Sequence, residues 1–325
     1  MTARSLMTAF LAATIVPAAV EAQLPKPALL VANKAEASLV VVNPATGAVV
    51  GRVATGDGPH EVVADGTHAF VANYGTQTPG NSLSVIELAT LKEVKRVDLG
   101  PMRRPHGLAL AEGRLVFTAE TNRVVGWYHH GSGHVEWALG TGQAGTHMVW
   151  AHPSGSPVIT TNIGSDTVSV MERGANPLAW TVTQISTGKG PEGFDVSPDG
   201  VEMWVAHSRD GGLSIVDVAT KKVVQTLDLK TKRSNRLKFT PDGTRVLVSD
   251  LDAGDLIVIE AKTRAEVKRL PLGRNPSGIL VVPDGTRAYV GMTGDNAVAV
   301  VDLKKLELAG KIQTGAGPDG MAWVR

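Results

Sequence analysis

A four-residue phrase returns seven times along the chain: GPHE at 58–61, RPHG at 104–107, GTHM at 145–148, GPEG at 190–193, RSNR at 233–236, NPSG at 275–278 and GPDG at 317–320. Its second residues are Pro59, Pro105, Thr146, Pro191, Ser234, Pro276 and Pro318, spaced by 46, 41, 45, 43, 42 and 42 residues. A near-constant period of this size is the mark of a propeller or solenoid, whose repeats cannot bury their apolar faces alone. Because the repeat runs almost end to end, the 325 residues leave no room for a second domain.

The clearest copy reads as four strands. Residues 193–196 form a short strand, Ser197-Pro198-Asp199-Gly200 a tight turn, 202–206 a second strand, 212–216 a third and 222–229 a fourth. Apolar β-formers separated by residues chosen for turn dihedrals are the pattern of an antiparallel meander, and four such strands make a propeller blade. The turn after the first strand recurs at 64–66, 111–113, 153–155, 198–200, 241–243 and 283–285, six turns for seven phrases, because the chain ends just after the seventh first strand. The segments 29–33, 38–42 and 49–53 are three strands lacking an innermost partner, and 321–324 supplies it. The expected fold is therefore an all-β, seven-bladed propeller of four-stranded antiparallel blades, closed by N-terminal strands and a C-terminal strand sharing one blade. Closure of that kind removes exposed sheet edges.

Before the repeats, Arg4, the apolar run 6–20 and Val20-Glu21-Ala22 read as a signal peptide cut after Ala22, with the propeller occupying 23–325. The run is about 15 residues, short of the roughly 20 that a membrane span requires. With no cysteine, neither lipid attachment through a thiol nor disulfides can operate, so stability rests on the core. The expected location is the periplasm, reached by the general export route. A formal charge of +1 and 4% aromatic residues argue against nucleic acid as a partner, since single-strand binders need basic grooves studded with aromatics.

From Lys189 onward the blades resemble the YVTN-repeat β-propellers, most plainly over Ala288-Tyr289-Val290-Gly291-Met292-Thr293-Gly294-Asp295-Asn296-Ala297-Val298. The resemblance covers almost the whole mature chain, with blades three and four degenerate. It implies a lactonase-like propeller architecture, shared by sugar lactonases, an antibiotic lyase, surface-layer proteins and binding proteins, and so does not choose a function.

Two slots per blade point to one face. The first, directly after the repeat proline, holds His60, His106, His147, Glu192, Asn235, Ser277 and Asp319. The second, at the end of the second strand, holds Asn33, Asn73, Glu120, Asn162, His207, Asp250 and Met292, of which the asparagines are read as turn-formers. Both rings are expected around the mouth of the central channel, where innermost strands converge. His60, His106, His147 and Glu192 come from consecutive blades, and three imidazoles with a carboxylate suit a divalent transition metal such as Zn, Cu, Ni or Fe. Glu120 and His207 are placed as proton-transfer or tautomer-fixing partners. Arg104, Lys189, Arg233, Arg236 and Arg274, in or beside the loops entering the first strands, are expected to draw a small anionic ligand to the same mouth.

The remaining histidines are assigned to the opposite face. His68 and His152 flank turns there, and His129, His130 and His134 fall in or beside a connection, which could bind a metal adventitiously but is read as a solvated hairpin. The six tryptophans are read as packing between blades. No Gly-x-Ser-x-Gly elbow, Walker loop or His-Glu-x-x-His pair is present. Two functions are compatible with these residues: an exported binding or accessory protein holding a metal ion, a small anion or a periplasmic protein partner, and a metal-dependent lactonase-like hydrolase or lyase.

Overall fold

The computed structural model describes residues 24–176 and 178–325; the expected signal peptide lies outside them. Twenty-eight strands form seven four-stranded antiparallel sheets arranged as a propeller. Blades two to seven occupy residues 59–98, 105–140, 146–186, 191–228, 234–271 and 276–313. Blade one joins Ala28–Asn33, Ser38–Asn43 and Ala48–Ala54 to Pro318–Val324, with Trp323 opposite Leu29 and Val324 opposite Ala28. The first and last strands of the described residues are thereby joined in one sheet. Among the described residues no helix is long and apolar enough to cross a membrane.

The strand sequences explain the layering. Middle strands such as Arg245–Asp250 and Ala28–Asn33 are buried on both faces because each blade is sandwiched between two others, so apolar residues run continuously along them. Outermost strands such as Lys222–Asp228 face solvent and are polar or mixed. Seven apolar clusters result, one between each pair of adjacent blades; that between blades seven and one buries Leu29, Val31, Val40 and Tyr289 and closes the ring.

The repeated phrase is a β-bulge. Pairing of the first strand with the second slips between Pro59 and Val62, Pro105 and Leu108, Thr146 and Val149, Pro191 and Phe194, Ser234 and Leu237, and Pro276 and Ile279. A bulge re-aims the residues it contains, and here the third residue of each phrase is turned toward the channel mouth. The fourth position of the phrase is usually glycine because the next blade leaves no space for a side chain. A Cβ on Gly278 would stand 2.1 Å from the Asp319 carbonyl oxygen, and one on Gly107 2.6 Å from the Val149 amide nitrogen. Glu61, Met148 and Arg236 are the exceptions.

Candidate functional site at the channel mouth

A cavity of about 570 Å³ opens at the mouth of the channel. All seven residues of the first ring line it: His60, His106, His147, Glu192, Asn235, Ser277 and Asp319. His106 is fully buried, and its ring lies between its neighbours, centroid to centroid 3.9 Å from that of His60 at a 46° tilt and 3.6 Å from that of His147 at 35°. Five of the six ring nitrogens in this cluster are buried without a hydrogen-bond partner, all but His60 Nε2. Buried polar atoms normally have partners, because desolvation without compensation is costly. Burial, reinforced by His147 and His60, holds His106 well below the ordinary imidazole range, and burial lowers His60 as well. Neutral rings keep lone pairs for a ligand.

The charged groups come from the same bulges. Glu61, beside His60, turns into the channel and meets Arg236 from the far side of the ring, with Arg236 Nη2 donating to Glu61 Oε1 at 2.7 Å. Arg236 Nη1 lies 3.8 Å from Glu192, which also accepts from the Asn235 amide. Burial opposes both charges, but each holds the other: Arg236 is raised and Glu61 is lowered from its ordinary value. Lys34 Nζ donates to His60 Nε2 at 2.6 Å and to Asp319 Oδ2 at 3.2 Å. His60, Lys34 and Arg236 outweigh burial and keep Asp319 ionised. Glu120 accepts a hydrogen bond from the Tyr74 hydroxyl at 2.6 Å and lies 3.7 Å from His147 Nδ1. Against burial, His147 and Tyr74 hold Glu120 below its usual range, while burial and Glu120 push Tyr74 up to about 12. Four carboxylates thus face four cations, Lys34 and Arg236 in contact with them and Arg209 and Arg233 on the cavity wall, so the two signs balance at the mouth and just beneath it.

The donor set that falls within reach of one ion differs from the sequence expectation. His60, Glu61 and His106 each offer a ligand atom within 4.8 Å of the others. His147 lies next to them and Glu192 is held by Asn235 and Arg236. Glu61 went unnoticed in the sequence because it stands in a slot that is usually glycine; a charge in such a slot was the available signal.

In the second ring the asparagines Asn33, Asn73 and Asn162 hold structure, as read, while His207 requires correction: these four and Asp250 are buried and bonded to their own blades and the loops entering them, and among that ring only Glu120 lines the cavity. Strand alternation is the reason. The slot residue turns into the blade and the next one faces the mouth, so Lys34, Tyr74, Ile163, Ser208, Leu251 and Thr293 form the actual second ring. In blade three the 3₁₀ turn Glu120–Asn122 interrupts the register and leaves Glu120 facing the cavity. His207 does the work of an asparagine: its Nε2 meets the Gly188 amide and Ser214 Oγ, as Asn73 meets the Gly56 amide and Ser84 Oγ, and its Nδ1 pairs with Asp210 at 3.0 Å.

The expected basic rim is also redistributed. Arg233 lines the cavity, joined by Arg209, which the sequence reading passed over. Arg236 is not a rim cation but a buried channel residue. Arg104 lies over the Tyr74 ring at 4.6 Å, Lys189 pairs with Asp166 at 3.0 Å, and Arg274 pairs with Asp295 at 2.8 Å; none of the three lines the cavity.

A family model described as YNCE-like beta-propeller matches residues 121–322, beginning after His60, Glu61 and His106. Hydrazine synthase subunit beta of Kuenenia stuttgartiensis is 30% identical over 144 residues, 36% of this chain and 37% of that protein. Antigen Lp49 of Leptospira interrogans is 26% identical over 130 residues, 38% of this chain and 28% of that protein. The chain therefore spans well under half the length of these relatives. Among solved structures, Kuenenia stuttgartiensis hydrazine synthase superposes with a TM-score of 0.74 at 18% identity, over 90% of this chain and 99% of that one. A Bacteroides fragilis protein provisionally described as a 6-phosphogluconolactonase gives 0.76 at 17% identity, over 95% and 100%. At these identities the likeness is one of fold.

Proposed function

We propose, for a chain that belongs to the YNCE-like β-propellers, that the channel mouth binds a divalent transition-metal ion together with a small anionic ligand, in an exported binding or accessory role in the periplasm. The observation that carries this reading is the cluster of His60, His106 and His147, with five buried ring nitrogens lacking partners and the Glu61 carboxylate within reach of two of the rings. Two imidazoles and a carboxylate suit Zn²⁺, Cu²⁺, Ni²⁺ or Fe²⁺. Its ligands would be His60, His106 and Glu61, with His147 the next nitrogen donor.

Ligation has a cost built into the site. Coordination through His60 Nδ1 moves the ring proton to Nε2, where Lys34 now donates, so Lys34 must pass fully to Asp319. Glu61 must likewise share or leave Arg236, whose nearest alternative is Glu192. The anionic ligand would span from the ion to Arg233 and Arg209 on the other side of the cavity.

Metal analysis and calorimetric titration of untagged protein test this. One equivalent of Zn²⁺ should bind at the mouth, and a His60→Ala/His106→Ala/His147→Ala variant that still folds should lose that equivalent. Metal-free protein indifferent to added Zn²⁺, Cu²⁺, Ni²⁺ and Fe²⁺ would overturn the reading.

The Tyr74, Glu120, His147 chain favours a second reading, a metal-dependent hydrolase or lyase in which Glu120 accepts a proton and His147 or Tyr74 returns it. Turnover of lactones or esters abolished by Glu120→Gln would support it; tight anion binding without turnover would leave the binding role.

A further inference from the structure

The histidines assigned to the opposite face do not all behave as a solvated hairpin. His68, at the start of strand His68–Asn73 in blade two, and His130, following strand Val124–His129 in blade three, bring their rings to 4.3 Å with a 49° tilt. The two blades meet here through side chains that are each only partly exposed.

Hydrogen bonding selects the tautomer of His68. The Thr67 hydroxyl donates to Asp65 Oδ1 at 2.8 Å, so its oxygen is left to accept the proton of His68 Nδ1 at 2.9 Å. His68 Nε2 then carries a lone pair. Metal-bound imidazoles characteristically have their second nitrogen fixed in this way by a hydroxyl or carboxylate. His130 Nδ1 is buried and has no hydrogen-bond partner. Asp65 supplies negative charge beside the pair; the groups facing it are Lys95, which donates to the Gly133 carbonyl, and His129, whose Nδ1 accepts the Ser132 amide.

We propose that His68 and His130 form a second metal site, separate from the mouth, which takes a borderline divalent ion such as Ni²⁺, Cu²⁺ or Zn²⁺ on two imidazoles from adjacent blades, with water completing its coordination. An ion so placed staples blade two to blade three. With two protein ligands it binds more weakly than an ion held by three at the mouth.

Equilibrium dialysis of the untagged full chain against Ni²⁺, with thermal melts of the same samples, tests the proposal. Wild type should take up a weaker equivalent in addition to any at the mouth, with a rise in melting temperature. His68→Gln and His130→Gln should each abolish that equivalent and the part of the rise it causes, while circular dichroism shows the fold retained. If the mouth reading fails, a single equivalent sensitive to these two variants and indifferent to His106→Ala remains. A weaker equivalent that survives in both variants, or wild type that binds none beyond the mouth ion, would overturn it.

Discussion

Arg236→Met isolates the electrostatics of the channel. The guanidinium is 6% exposed and the Glu61 carboxylate 14%, and they share a 2.7 Å hydrogen bond, with Glu192 3.8 Å further round the ring. Removing one member of a buried pair leaves an uncompensated charge, which costs about 3–5 kcal/mol, whereas replacing both members is often near neutral. In metal-stripped protein, Arg236→Met should therefore lower the urea midpoint by more than about 1 M, taking a slope of about 3 kcal/mol/M. Arg236→Met/Glu61→Gln should recover most of the loss. The sign with pH is fixed by Glu61, whose folded pKa lies below its ordinary value of 4.5: the wild-type advantage is complete above that value and disappears as pH falls through the folded one. Zn²⁺ should stabilise Arg236→Met more than wild type, since the ion replaces the lost positive charge. A midpoint unchanged within the equivalent of about 0.5 kcal/mol, the scale of an ordinary surface substitution, would refute the reasoning.

Other consequences are equally specific. Lys34→Met should tighten Zn²⁺ binding at the mouth in calorimetry, because Lys34 occupies the His60 nitrogen opposite the ligating one. His207→Asn should fold with little loss, since asparagine makes the same bonds in blade two, while His207→Ala should cost about 1–3 kcal/mol by leaving buried groups unpaired; urea unfolding distinguishes them, and neither should change metal stoichiometry. Gly278→Ala should destabilise by about 1–3 kcal/mol, as its Cβ would meet the Asp319 carbonyl oxygen at 2.1 Å, backbone that cannot step aside. The Asp295 carboxyl, held down to about 2 by the hydrogen bonds from Arg274 and Lys311, should titrate there by NMR and rise in Arg274→Ala; its stabilising effect is present above the ordinary carboxylate range and is lost as pH falls toward 2.

Much of this was readable before any coordinates. The phrase spacing specifies seven blades, and the strand boundaries near 191–228 follow directly from turn residues; the closing blade follows from the mismatch of six turns and seven phrases. The first ring was legible because every blade places the same bulge at the same step of the repeat. The second ring was misread by one residue. Spacing alone cannot say whether Asn73 or Tyr74 faces the mouth, and the decision is made by serines on the third strand, such as Ser84 and Ser214, that draw the slot side chain into the blade. The Glu61–Arg236 pair joins residues 175 positions apart across the channel, a contact that no local pattern encodes. His68 and His130 escaped notice for the same reason: the interface between neighbouring blades, rather than either hairpin, brings them together.

The central claim is that the imidazole cluster and the carboxylate beside it hold a divalent ion. Crystals soaked in Zn²⁺ and measured on both sides of the zinc absorption edge address it directly. A bound ion gives an anomalous peak within about 2.0–2.3 Å of donor atoms from His60, His106 and Glu61, with Lys34 turned to Asp319. A mouth without an anomalous peak, its three rings still in contact and Lys34 still on His60, would contradict it.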